Sequence, residues 1–223
     1  MKRFAIAVDG PAGSGKSTVA KAVAGKLGII YVDTGAMYRT VALYCKQKNI
    51  PWEKEESVAA ALAELDMKIV PEAGGQRIFL NGEDVTAAIR TAEIGKGASA
   101  VAANPKVRAY LVELQQEMAK AHSVLMDGRD IGTVVLPDAE VKVYLDAGVE
   151  ERARRRVGEL EAKGETPDLE EIKKMIQERD YNDMHRKHSP LKKADDAVVL
   201  DSTGMGIEEV QQAILDIVAE RVN

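Results

Sequence analysis

The chain has 223 residues, 45% of them hydrophobic and 30% charged, with a formal net charge of −5. That is the composition of a folded protein with a sizeable core, and its acidic balance argues against a nucleic-acid partner or an anionic membrane surface. The single cysteine, Cys45, excludes a disulfide framework. With no run of 18 apolar residues and a start that reaches Asp9 within nine positions, neither a signal peptide nor a membrane span is expected, and the expected location is cytoplasmic.

Phe4 to Val8 is a short apolar run that reads as a buried strand. Gly10-Pro11-Ala12-Gly13-Ser14-Gly15-Lys16-Ser17, followed by Thr18, fits G-x-x-x-x-G-K-[ST], the loop that wraps a phosphate. Val19, Val23 and Leu27 then recur at helical spacing, and Gly28 stands where a helix ends. Strand, loop and helix in that order let backbone N–H groups and a helix N-terminus converge on one anion. Lys16 is placed to reach the β- and γ-phosphates, and the Ser17 hydroxyl to ligate magnesium. A dinucleotide fingerprint is excluded, since no G-x-G-x-x-G occurs.

Ile29 to Val32 predicts a second strand, ending at Asp33-Thr34-Gly35, with a helix through Met37, Val41, Leu43 and Tyr44. Pro51 breaks the chain, and Glu53 to Leu65 reads as a helix with Val58, Ala61, Leu62 and Leu65 on one face. Met67 to Val70, Gly74-Gly75, Arg77 to Leu80 and Asn81-Gly82 read as a small hairpin assembly interrupting an alternating pattern, so residues 50–104 are expected to be an insertion. Asn104-Pro105 starts a helix buried along Val107, Leu111, Leu114 and Met118.

Val124 to Met126 and Val141 to Leu145 are further short strands, ending at Asp127-Gly128-Arg129-Asp130 and at Asp146. The charged stretch Glu150 to Lys163 carries Arg152, Arg154, Arg155 and Arg156. Gly164 ends it, and Thr166-Pro167 is expected to cap a helix carrying Ile172, Ile176, Arg179, Asp183 and Arg186. Thin apolar faces mark these two helices as a mobile lid. Ala197 to Leu200 is a fifth strand, and Ile207, Val210, Ile214 and Ile217 mark a closing helix. Five buried strands alternating with helices predict an α/β fold: a doubly wound five-stranded parallel sheet with helices on both faces. Ligands then sit at the strand C-terminal ends, where Asp9, Asp33, Asp127, Asp146 and Asp201 would lie near magnesium.

The chemistry follows from charge. Phosphoryl transfer between two phosphate groups concentrates negative charge, which magnesium and guanidinium forks must neutralise. Arg39, Arg108, Arg129, Arg179 and Arg186 are candidates, and Asp127 is placed to organise magnesium. His122, His185 and His188 show no ligand spacing, and Cys45 reads as a small core residue.

Asp33-Thr34-Gly35-Ala36-Met37-Tyr38-Arg39, Asp127-Gly128-Arg129-Asp130-Ile131-Gly132-Thr133, and Glu178-Arg179-Asp180 with Arg186 resemble the bacterial cytidylate kinase family, as does the Met67 to Thr86 insert. The resemblance runs from Val8 to the closing helix. It implies an adenylate-kinase-like single domain, 1–223, with a core (1–33, 105–149 and 189–223), a monophosphate-binding subdomain with a small antiparallel sheet (34–104) and a helical lid (150–188). It implies a monomer that transfers the γ-phosphoryl of ATP, with magnesium, to CMP or dCMP. ATP phosphates would lie on Gly10 to Thr18, and Arg152, Arg155 and Arg156 would belong to the lid. Arg39, Arg129 and Arg186 would hold the acceptor phosphate, with Thr34 beside them. Arg179 and Asp183 would meet the ribose, and Ser99, Arg108 and Asp130 the cytosine. Lys16, Arg129, Arg179 and Arg186 would be catalytic, with Ser17 and Asp127 (through water) at the metal. Two other readings remain open: a kinase of the same fold acting on UMP, a coenzyme precursor or a sugar, and a GTP-dependent switch. Asp201-Ser202-Thr203-Gly204 matches D-x-x-G, but it follows the last strand, and no Asn-Lys-x-Asp guanine reader occurs.

Overall fold

A computed structural model describes residues 3–72, 75–162 and 164–222. Five parallel strands form the central sheet: β1 (Ala5–Asp9), β2 (Ile30–Asp33), β6 (Val124–Gly128), β7 (Val141–Asp146) and β8 (Val198–Asp201), in the order β2-β6-β1-β7-β8. β1 is central. The chain goes from it to one edge of the sheet first and fills the other side later, which opens a crevice at the C-terminal end of β1. The strand ends lie level, with Val8 opposite Asp127, Asp33 opposite Asp127 and Asp146 opposite Asp201.

Alternation along β1 divides the core. Ile6 and Val8 join a cluster with α1 (Lys16–Leu27) and α8 (Ile207–Arg221), containing Val19, Val23, Leu145 and Ile214. Ala7 faces the other way, into a larger cluster with α2 (Thr34–Gln47), α4 (Ala92–Val101) and α5 (Pro105–Ala121). That cluster also takes in α3 (Glu55–Ala61) and Ile78 and Leu80 of the antiparallel sheet β3-β4-β5 (Met67–Glu72, Gly75–Leu80 and Glu83–Asp84). The inserted stretch therefore shares the main core. Trp52 fixes one corner: its indole N–H donates to the Ala42 carbonyl at 2.9 Å, and its ring lies where a Cβ on Gly97 would sit, 2.5 Å away. Two further helices, α6 (Val149–Glu161) and α7 (Leu169–His185), enclose a small separate cluster of Ala153, Ile172 and Ile176.

Several local expectations are corrected. Asp33 is the N-cap of α2, accepting from Ala36 N at 2.8 Å, so β2 passes into the helix with no loop between. The helix expected over 53–65 is shorter, α3 followed by one 3₁₀ turn, and α4, capped by Thr91, stands in what read as irregular insert. Asp168, not Thr166-Pro167, caps α7. β8 is an edge strand with Val199 exposed, and Ile207 is exposed too, so neither belongs to a buried stripe. Gly74 and Lys163 lie outside the described residues. Asn104 does cap α5, accepting from Lys106 N at 3.0 Å.

Cys45 is buried, and burial pushes its thiol up to about 11. The thiolate is the nucleophile, so at neutral pH the folded protein is expected to react with a thiol reagent about 10²-fold more slowly than the unfolded chain. A chromogenic disulfide titration with and without denaturant measures this; equal rates would place Cys45 at the surface.

Candidate active site

The phosphate loop joins β1 to α1 and is shaped by glycines. Gly10 has φ +152° and passes so close to β7 that a Cβ would lie 2.0 Å from the Leu145 carbonyl; Gly15, at φ +85°, is the left-handed N-cap of α1. Lys16 opens the helix and is buried. Its Nζ donates to Pro11 O at 2.6 Å and Ser14 Oγ at 3.2 Å, so it lies across the loop. Burial, then the positive charge of Arg129, holds its pKa well below the usual lysine range against the pull of Asp127 and Asp9.

Opposite the loop, Asp127 near the end of β6 accepts from Ser17 Oγ at 2.7 Å and Tyr31 Oη at 2.8 Å. Burial, then the charge of Asp33, raises its pKa. A hydroxyl beside a buried carboxylate is the hard-oxygen pair that magnesium prefers alongside phosphate oxygens and water. Among the described residues no group of three or more His, Cys, Asp or Glu side chains is arranged to hold a metal.

The other strand-end aspartates have different work, which corrects the expectation that all five cluster at magnesium. Asp33 caps α2 and pairs with Arg39 at 2.9 Å and Arg90 at 3.0 Å; burial raises its pKa, but the two arginines outweigh it and the net shift is downward. Asp146 accepts from Ala147 N, and Asp201 from Thr203 N. Asp9 accepts from Ile131 N at 2.8 Å and Gly132 N at 2.7 Å, and burial above all lifts its pKa to about 6. It thereby ties β1 to the turn after β6, where Ile131–Val135 winds as a π-helical turn. Gly128 opens that turn in a space too tight for a side chain: a Cβ there would meet Ile131 at 2.7 Å and Thr34 Oγ1 at 2.8 Å.

That turn carries Arg129 and Asp130. Arg129 Nε donates to Asp183 of α7 at 2.9 Å, and the pair is largely buried. Burial raises the pKa of Asp183, but Arg129 outweighs it and leaves the net shift downward. Asp130 is buried between two arginines: Arg108 of α5 donates to Oδ2, and Arg186 lies 3.6 Å from Oδ1. Arg186 also donates to Ser189 O at 2.5 Å, and Arg108 stacks 5.5 Å from the Tyr38 ring centre. Arg179 makes no ion pair among the described residues. It is exposed, and desolvation, then the like charge of Arg129, pulls its pKa down to about 10. A chain of net charge −5 thus gathers guanidinium groups around one crevice. Arg39 Nε, Arg108 Nε and Arg186 Nη2 are buried with no hydrogen-bond partner, which is uncommon for donors of this strength.

Other predicted site residues are less directly placed. Thr34 Oγ1 donates to the Asp127 carbonyl at 2.7 Å, tying α2 to β6. Ser99 Oγ turns back on its own helix, 3.5 Å from Gly95 O. Arg156 is half-buried and pairs with Glu159. Arg152, expected in a lid, is buried and donates to Ala147 O, Ala12 O and Asp180. Arg155 reaches Ser14 O and Ser202. The sequence reading gave no role to Arg90, Tyr31 or Asp180. For Asp180 a signal existed: it continues the Ile172, Ile176 stripe at helical spacing.

A family model described as cytidylate kinase matches residues 6–220. A cytidylate kinase of Ligilactobacillus salivarius is 51% identical over 221 residues, covering 99% of both chains. One of Leuconostoc mesenteroides subsp. mesenteroides is 48% identical over 223 residues, covering all of both. Among solved structures, a shikimate kinase from Bacteroides thetaiotaomicron superposes with a TM-score of 0.50 at 13% identity, covering 97% of this chain and 98% of that one, which is a likeness of fold. The family match runs from β1 into α8 and so contains the loop, the Asp127–Asp130 turn and α7; the chain belongs to the cytidylate kinase family, the nucleoside monophosphate kinases that act as phosphotransferases.

Proposed function

We propose that this protein transfers the γ-phosphoryl group of ATP to CMP or dCMP, with magnesium, giving ADP and CDP or dCDP. The observation that carries this reading is the buried group around Asp130. Asp130 Oδ1 and Arg186 Nη2 face each other at 3.6 Å, beyond hydrogen-bond reach, and Arg108 Nε is a buried donor without an acceptor. One acceptor for the N4 amine and two donors for N3 and O2 are the set that cytosine requires, in the order acceptor, donor, donor along its edge. Uracil reverses the pattern at two positions and would leave buried groups unpaired. Arg108 Nε and Arg186 Nη2 are shielded from solvent, so an arriving base must displace what shields them.

In this reading Arg39, whose Nε is also buried and unpartnered, and Arg129 receive the acceptor phosphate with help from Arg186. Arg179 and Asp183 face the ribose, with Ser99 toward the base and Thr34 beside the phosphate. The loop from Gly10 to Thr18 wraps the ATP phosphates with Lys16 across it. Ser17, and Asp127 through water, would hold magnesium, which when bound neutralises phosphate charge. The division into core (1–33, 105–149, 189–223), acceptor subdomain (34–104) and lid (150–188), with Arg152, Arg155 and Arg156 in the last, is part of the proposal, as is action as a monomer. Among the described residues no helix is long and apolar enough to cross a membrane; these substrates place the enzyme in the cytoplasm.

The test is a phosphoryl-transfer assay across CMP, dCMP, UMP and AMP with ATP, with and without a magnesium chelator. Cytidine acceptors should be turned over far faster than the others, and only with the metal. A preference for UMP, or for a sugar or coenzyme precursor, would overturn the assignment. Transfer should be direct. No histidine or cysteine lies in the site described, and the arginines and Lys16 supply electrostatics rather than a nucleophile. A chiral γ-phosphoryl group is therefore expected to arrive inverted; retention, or a labelled phosphoprotein, would require a covalent intermediate.

A further inference from the structure

One residue of the phosphate loop is held on both sides of its own backbone by α6 and α7. Ala12 N–H donates to Asp180 Oδ1 at 3.2 Å, and Ala12 O accepts from Arg152 Nη1 at 2.9 Å. The same Arg152 nitrogen reaches Asp180 Oδ2 at 2.5 Å, and Arg152 Nε donates to Ala147 O at 2.8 Å where β7 turns into α6. Both side chains are about nine-tenths buried, with 8% and 10% exposure. Such a pair is costly to bury unless its remaining donors and acceptors are satisfied, and here the loop and Ala147 O satisfy them. The neighbours of Asp180 on α7 matter as much. Arg179 precedes it, and Asp183, one turn on and also buried, holds Arg129 at 2.9 Å. Residues three apart share a helix face. One face of α7 therefore grips the phosphate loop at Asp180 and the acceptor arginine at Asp183.

We propose that Asp180 and Arg152 are a positioning pair that couples the two substrate sites, resting on the function proposed above. When a triphosphate fixes the loop, the Ala12 peptide is fixed with it. Asp180 then sets the position of α7, and through it Asp183, Arg129 and Arg179 on the acceptor side. Neither residue needs to touch a nucleotide. The coupling must be reciprocal: the factor by which the ATP site tightens CMP equals the factor by which CMP tightens the ATP site.

The experiment is calorimetric binding of CMP with and without a non-hydrolysable ATP analogue and magnesium, on the wild type and on Asp180→Ala. The wild type should show tightening of about 5-fold or more, the low end of ordinary site coupling. Asp180→Ala should bring that factor close to one while changing the affinity for CMP alone by less than about 3-fold. A merely structural role would weaken both nucleotides singly and leave the coupling factor intact. Should Asp180→Ala fail to fold, Asp180→Asn is scored in the same way, since it keeps an acceptor for Ala12 N–H but loses its charge against Arg152. Arg152→Lys, which cannot span Ala147, Ala12 and Asp180 together, should also lower the factor. Coupling near one in the wild type, or equal coupling in wild type and variants, overturns the inference while leaving the functional reading standing. A wild type that binds neither nucleotide overturns both.

Discussion

Replacing Lys16 by alanine is expected to lower kcat by about 10²-fold or more and to leave the fold intact. Lys16 is buried, and its pKa is held down by desolvation and by Arg129. Holding a poorly solvated charge here is unfavourable by itself and becomes favourable when an anion sits on the loop. Developing charge on a transferring phosphoryl group is therefore stabilised more than it would be by a lysine in water. The fold should tolerate the change because, among the described residues, the ammonium group donates only to Pro11 O and Ser14 Oγ, and α1 is held through Val19, Ala20 and Val23 in the core. The measurement is kcat and KM at saturating second substrate, with a circular-dichroism melt as the control for folding. A fall in kcat and kcat/KM together identifies a contact made in the transition state; a rise in KM alone identifies uniform binding. A folded Lys16→Ala protein with near-normal kcat would show that the loop is not catalytic.

Much of this architecture was legible because the physics is local. The strands are short apolar runs with aspartates at or near their ends, and Gly10 is required by a backbone that passes within reach of Leu145. Asn104 with Pro105, and Gly28, are helix signals that act within a few residues. The α4 helix was missed because Gly95 and Gly97 dilute its propensity, and tertiary packing of Trp52 on Gly97 decides the matter. The strand-end aspartates looked alike in sequence, and only long-range partners separate them. Asp9 meets backbone amides of residues more than a hundred positions away, whereas Asp33 meets its own helix and two arginines.

The arginines divide in the same way. Arg152, Arg155 and Arg156 fall within about one helix turn, yet Arg152 is buried on the phosphate loop, Arg155 bridges to Ser202, and Arg156 is half-buried and pairs with Glu159. Periodicity could have marked the first, because Arg152 lies beside Ala153 on the side that also carries Val149. A charge that continues an apolar stripe needs a partner, and the partner here, Asp180, continues the stripe of the facing helix. Arg90 offered no such signal: it stands in a 3₁₀ turn, half exposed, and its pairing with Asp33 depends on how the inserted stretch folds back.

Replacing Asp130 by asparagine is expected to shift the CMP-to-UMP ratio of kcat/KM by about 2–4 kcal/mol toward UMP, the scale of one charged hydrogen bond plus one unpaired buried group. The carboxylate only accepts, so it favours the cytosine N4 amine and repels uracil O4. An amide can turn its NH₂ toward O4, removing the repulsion together with part of the attraction. The surroundings of Asp130 add a second effect. Its Oδ2 accepts from Arg108, and Oδ1 faces Arg186 at 3.6 Å, so the carboxylate is also the shared counter-charge of two guanidinium groups. Neutralising it leaves Arg108 and Arg186 mutually repelled in a buried site, which should slow turnover of every acceptor by a common factor. The ratio separates the two effects, because the common factor cancels and only base reading remains. The measurement is kcat/KM for CMP and UMP on both proteins with ATP saturating. If both substrates fall equally, Asp130 serves only to hold the two arginines, and discrimination must then come from Arg108 and Ser99.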